Sequence, residues 1–186
     1  MRNPKLQPWL EAGIKRFALN GINGLNISEI AKETNTASSS FYHYFNTKEE
    51  YLEDLLDFWH EEGSMKIVKE VFLEDEPKKA IQRLFKLIFE SNFIYECFLI
   101  QLRAASFENK TFLKKVIETD KIRISFLTSL LARTGLTEDQ ARTRAIQIHN
   151  YVTGLHVSLN LVEPDKKIKQ RFYEDLEMMF AISVND

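Results

Sequence analysis

Apolar residues along the chain recur at spacings of three and four, and alternation with a period of two is almost absent. Leu10, Ile14, Phe17 and Ala18 mark one face of a first helix over 5–20, with Pro4 and Pro8 near its start, where a missing amide hydrogen does little harm. Gly21-Ile22-Asn23-Gly24 stops it. Two short helical patterns follow, the first turning Ile27, Ile30 and Ala31 inward, the second running from about Ser38 to Phe45 with Phe41 and Phe45 as its inward pair. A fourth helix opens at Thr47-Lys48, carries Leu52, Leu55, Leu56 and Trp59, and resumes after a bend at Gly63 with Met65, Val68 and Phe72. Pro77 opens a fifth, with Ile81, Leu84, Phe85, Ile88 and Phe89 on one stripe. A sixth, over about 94–108, is apolar on nearly every side and belongs in the centre of a body. The seventh runs from Thr111 to Thr134 and ends at Gly135, Thr137 caps an eighth over about 138–162, and Pro164-Asp165 opens a ninth over about 165–183. With only six Gly and four Pro, the pattern predicts an all-α protein of nine helices.

The stretch Asn26–Lys48 carries the most specific signal. Asn26 can cap the first short helix, and Glu29 three residues on can reach back to close a capping box. Asn35 stands where the turn needs a left-handed residue. Two short helices joined by so tight a turn form a helix-turn-helix, whose second helix is sized for a DNA major groove.

Those residues resemble the DNA-binding signature of the TetR family of bacterial transcriptional repressors. The matching positions are Asn26, Ile30-Ala31, Asn35-Thr36-Ala37, Tyr42, His43-Tyr44-Phe45 and Lys48, and the likeness extends over residues 8 to 56. Asn35 replaces the family's turn glycine, and Ala37 replaces its usual capping serine, so Thr36 or Ser38 is expected to cap instead. Ser38 and Ser39 stand where the family more often has a basic or small residue and a glycine. The resemblance implies a two-part molecule: a three-helix DNA-binding head over 1–47, and a helical ligand-binding and dimerisation body over 48–186. It further implies a homodimer on a double-stranded, palindromic DNA operator, released by a small-molecule effector.

Within the head, Tyr42, Tyr44 and Lys48 are candidates for phosphate contact, and Ser39, Ser40 and His43 for base edges or nearby backbone. Asn26, Thr36 and Ser38 complete the candidate DNA surface. The bland alternative is that Tyr42 or Tyr44 only packs on the first helix. Net charge is −2, but six cations against three acids give residues 1–48 a balance of +3 and leave −5 for the rest. So small a positive balance makes one head a weak binder and two heads necessary.

The body offers apolar candidates for an effector cavity: Phe89, Phe93, Phe98, Leu102 and Phe126. Arg103, His149 and Tyr151 are the polar anchors, which points to an apolar or aromatic effector. Arg103 needs a partner in so apolar a helix, and Asp120 or Glu96 can provide it. In the last two helices Gly154, Leu155, Leu161, Phe172, Leu176, Met179 and Phe180 are expected at the dimer seam, since the family pairs subunits there. The row His149, Thr153, His156 and Asn160 lies beside them and could face either a pocket or that seam.

The single Cys97 allows neither an intramolecular disulfide nor a cysteine-based zinc site, and His149 and His156 lie two turns apart, too far for one ion. No metal or cofactor is expected. No nucleophile paired with a base and no phosphate-cradling glycine loop is present, so an enzyme is the weaker alternative. A helical interaction module that has lost DNA binding is the other. Without a signal peptide or a membrane-length apolar run, a cytoplasmic protein with no membrane partner is expected.

Overall fold

The computed structural model describes residues 5–90, 93–159 and 165–180. No strand occurs among them, and no helix among them is long and apolar enough to cross a membrane. The order is α1 (Gln7–Asn20), α2 (Ile27–Glu33), a 3-10 turn (Ser38–Ser40) running into α3 (Phe41–Tyr44), α4 (Lys48–His60), α5 (Lys66–Phe72), α6 (Pro77–Glu90), α7 (Phe93–Ala105), α8 (Lys110–Ala132), α9 (Glu138–Ser158) and α10 (Lys166–Phe180). A π turn, Glu61–Met65, takes the place of the bend expected at Gly63. Counting α4, that turn and α5 as the one helix expected there, the elements match the nine predicted.

The chain forms two compact units, one of residues 1–63 and 94–117, the other of 64–93 and 118–186. This differs from a division at 47/48, and the reason is aromatic. In the first unit Phe17 of α1 packs against Phe98 of α7 at 4.5 Å and Phe112 of α8 at 5.9 Å. Trp59 stacks on Phe98 at 5.3 Å and donates its indole hydrogen to the Tyr95 carbonyl at 2.9 Å. Phe98 and Leu102, read as cavity lining, are therefore fully buried core residues of the unit that carries the helix-turn-helix. Cys97 is buried beside them, and burial pushes its thiol up to about 11.

The second unit centres on Val71, Ile81, Phe85, Leu127, Leu131 and Ile148, and Phe172 and Leu176 of α10 belong to that same core. Their exposures of 1% and 0% remove them from any subunit seam. Leu155 is likewise packed against this core. Leu161, and the side chains of Phe89, Met179 and Phe180, lie outside the described residues. Two caps work as the sequence predicts: Thr137 and Gln140 close a full capping box on α9, and Gly135 follows α8 with φ +93°.

Gly13 shows how tightly the first unit is packed. Tyr51, fully inside, donates its hydroxyl to the Trp9 carbonyl at 3.0 Å, and that hydroxyl occupies the space a Cβ on Gly13 would need. Gly13→Ala, which in an open helix would stabilise by about 1 kcal/mol, is expected to destabilise here by about 1–3 kcal/mol. Adding Tyr51→Phe should recover part of that loss in urea unfolding; strictly additive effects would contradict the packing.

Candidate nucleic-acid interface

A seven-residue stretch, Ser38–Tyr44, cannot hold a helix by its own hydrogen bonds. An aromatic cluster holds it. Phe41 and Phe45, both with no exposed surface, meet Tyr51 at 5.3 and 4.9 Å, and Phe41 meets Trp9 at 5.6 Å. Anchoring these two on the inner side turns the rest of the segment outward. Ser38, Ser39 and His43 are exposed, Ser40 and Tyr44 are half-buried, and Tyr42 is 61% exposed with its ring braced edge-on by Phe41.

The turn before it is built as the sequence suggests, with two corrections. Asn35 takes φ 53°, and the Thr36 amide closes back onto the Ala31 carbonyl. Asn26 caps α2 through its side-chain oxygen, which accepts from the amides of Ser28 and Glu29. The Asn26 amide, however, donates to the Gly24 carbonyl, while Glu29 bonds Lys32 at 2.9 Å and holds its carboxyl below the ordinary range mainly through that bond. The expected capping box therefore does not form. Nor does Thr36 or Ser38 cap the recognition segment: Ala37 occupies the N-cap with no side-chain bond, and the Thr36 hydroxyl pairs with that of Thr34 at 2.8 Å.

After the recognition helix, Glu50 accepts from both the backbone and side-chain nitrogens of Asn46, and Thr47 accepts from the Glu50 amide. This fixes Lys48, exposed, in the first turn of α4. Asn23, Leu25, Asn26, Ile27 and Ser28 on one side, and Ser38, Ser39, Tyr42 and Lys48 on the other, line an open groove of about 610 Å³. Five of the nine predicted residues thus share one surface: Asn26, Ser38, Ser39, Tyr42 and Lys48. Thr36, Ser40, His43 and Tyr44 are not in its lining. Asn23 and Ser28 were not anticipated; the fixed crossing of the two helices, which brings the start of α2 beside the start of the recognition segment, was the signal for Ser28.

Much of the head's charge is engaged internally. Lys15 pairs with Glu33 at 3.1 Å, Arg16 with Glu33 at 3.5 Å and Glu29 at 3.9 Å, and Lys32 with Glu29. The Arg16 Nε also bonds the Gly24 carbonyl at 3.1 Å, tying α1 to the entry of α2.

The candidate effector residues divide between the units. Phe98, Leu102 and Arg103 lie in the first; Phe93, Phe126, His149 and Tyr151 lie in the second. Phe126 and Tyr151 pack against the second core, Tyr151 donates its hydroxyl to Asp175 at 2.6 Å, and His149 pairs with Asp120 at 3.3 Å. His149 and Thr153 are half-buried and His156 is buried, so these three of the polar row of α9 turn inward; Asn160 lies outside the described residues. The outward face of α9 is instead Ile146, Asn150, Gly154 and Val157, and a Cβ at Gly154 would meet open space.

Residues 10–55 match the model of the bacterial regulatory proteins of the tetR family. The HTH-type transcriptional regulator YuxN of Bacillus subtilis (strain 168) is 29% identical over 98 residues, 52% of this chain; the match spans 34% of that relative's length. Among solved structures, a TetR transcriptional regulator from Legionella pneumophila superposes with a TM-score of 0.78 at 18% identity, covering 96% of this chain and 97% of that one. The fatty acid degradation regulator FadR from Bacillus halodurans does so with 0.74 at 17% identity, covering 100% and 97%. These likenesses show the fold, and the motif residues within 10–55 show the lineage of the head. Residues 10–55 thus carry the head of the bacterial regulatory proteins of the tetR family.

Proposed function

We propose that this chain is a ligand-responsive transcriptional repressor that binds a palindromic DNA operator as a homodimer. The observation that carries the reading is the outward display of Ser38, Ser39 and Tyr42, with Lys48, on one groove above a buried aromatic support. In the bound state the recognition helices of two subunits lie about 34–36 Å apart and enter successive major grooves. Tyr42 and Lys48 act on phosphates, and the serines and His43 on bases or nearby backbone.

The dimer seam is the outward face of α9, Ile146, Asn150, Gly154 and Val157, joined by Met178 of α10, which is 78% exposed. Gly154 gives it a flat centre where a second copy of the helix can approach closely. The effector is a small apolar or aromatic molecule taken up by the body. The partly buried side chains around the second core, Leu87, Ile88 and Phe126 among them, are apolar or aromatic, and its polar groups His149 and Tyr151 already have partners. Binding releases DNA by favouring a different head spacing, to the extent of the effector's differential affinity for the two states.

Two measurements test this. Tyr42→Ala and Lys48→Ala should each weaken binding to an enriched duplex by about tenfold or more while leaving helicity and mass unchanged. In an anisotropy titration over a salt series, Lys48→Ala should also lower the salt slope by about one per head. Unchanged affinity in both variants would reject the surface. Separately, Val157→Asp should give monomers by sedimentation and lose operator affinity about a hundredfold or more; a dimer of unaltered mass would reject the seam.

A further inference from the structure

The recognition segment begins without a cap. Ala37 holds N-cap backbone geometry, φ −77° and ψ 143°, and its carbonyl accepts from the Ser40 amide at 2.9 Å, but it has no side-chain oxygen to cap the first turn. Its neighbours do not substitute, because the Thr36 hydroxyl is turned onto Thr34 and a side chain one residue further on starts inside the turn. What Ala37 presents instead is an exposed methyl group at the end of the segment that, on the reading above, enters the major groove.

The company of that methyl decides what it can read. Residues 37–45 contain no Arg, Lys, Asn, Gln, Asp or Glu. Those are the side chains that bind guanine or adenine bidentately, or accept from the cytosine amino group. The hydroxyls of Ser38, Ser39 and Ser40 bond to several bases and discriminate little. A methyl group is different. Of the features on a major-groove edge it complements one, the C5-methyl of thymine, and against a polar edge it would strip water from a donor or acceptor without replacing the lost bond.

We infer that Ala37 is a specificity-determining residue that reads a thymine methyl in each operator half-site, at the position where the segment would otherwise hold its own cap. The inference rests on the DNA-binding reading and adds the base class to it. A capping side chain in this position would point its oxygen back at the helix amides; alanine has none and turns an apolar group toward the base edge instead. The operator is therefore one whose half-sites carry a thymine at the Ala37 position, with weak preference where the serines fall and a separate contact from His43.

The test uses the full chain and a random duplex pool, enriched at about 0.15 M salt. Each enriched half-site should carry an invariant thymine, and replacing it by deoxyuridine, which removes only the methyl, should weaken binding about fourfold. Ala37→Gly keeps the N-cap conformation at no cost in stability, since glycine serves there at least as well as alanine. In that variant the deoxyuridine duplex should bind as well as the thymine duplex. Ala37→Ser supplies the cap, and should raise Tm by about 2–4 °C while reducing the thymine preference to under twofold. Equal binding of thymine and deoxyuridine duplexes by the parent chain, or a preference that survives in Ala37→Gly, overturns the inference with DNA binding intact. Failure to enrich any duplex overturns both together.

Discussion

The packing of Phe41 and Phe45 into Trp9 and Tyr51 is the constraint on which the head depends. Helix nucleation is unfavourable, and four α-helical residues after a three-residue 3-10 turn do not recover its cost from their own backbone bonds. Burying two phenylalanines contributes about 1.5–3 kcal/mol each, comparable with the deficit. The same contact fixes rotation: with two rings inside, the outward residues have one angular position relative to α1 and α4. Under the proposed reading, stability and recognition are thereby assigned to opposite sides of one short element. The inner side must be aromatic and well fitted; the outer side is free of any packing duty, which is why a run of serines can stand there.

Under the proposed reading, charge explains why a single head is insufficient. Lys15, Arg16 and Lys32 bridge to Glu29 and Glu33, so their fields are partly cancelled before any phosphate arrives. As surface pairs they stabilise little. Their effect is geometric, binding α1 to α2 through Arg16, and electrostatic, lowering the attraction of the head for DNA. Under the proposed reading, the affinity that this arrangement gives up is regained by joining two heads, whose effective concentration can raise binding by a factor of roughly 10²–10⁴.

The sequence reveals best what is decided locally. Leu10, Ile14, Phe17 and Ala18 declare the inner face of α1 by spacing alone, and all four are buried to within 1%. Asn35, Gly135 and the Thr137–Gln140 box are set by neighbouring backbone, and each behaves as its chemistry requires. Spacing fails where the question is which surface covers an apolar face. Phe172 and Leu176 are apolar at helical intervals whether their cover is a second subunit or their own chain, and here it is their own core. His149 and His156 pose the same ambiguity and resolve inward. Phe98 and Phe112, far along the chain from Phe17, have no local mark of joining the unit that contains α1. The uncapped Ala37 was visible as a departure, but that Thr36 would not replace it depended on a hydroxyl two residues upstream.

Under the proposed reading, a weak head also determines how such a regulator is switched. If each subunit held DNA tightly, an effector would have to dismantle the recognition surface to release it. When tight binding comes from two heads engaged together, displacing one relative to the other removes the avidity and leaves both surfaces intact. The free energy required is that of the lost factor: about 2.7–5.5 kcal/mol for 10²–10⁴-fold. An effector supplies it only through unequal affinity for the two spacings, and burial of about 110–220 Å² more apolar surface in one state than in the other is enough at about 25 cal/mol per Å². A small apolar molecule can provide that difference. On that reading the modest charge of the head and the apolar character of the body are parts of one arrangement, each making the other sufficient.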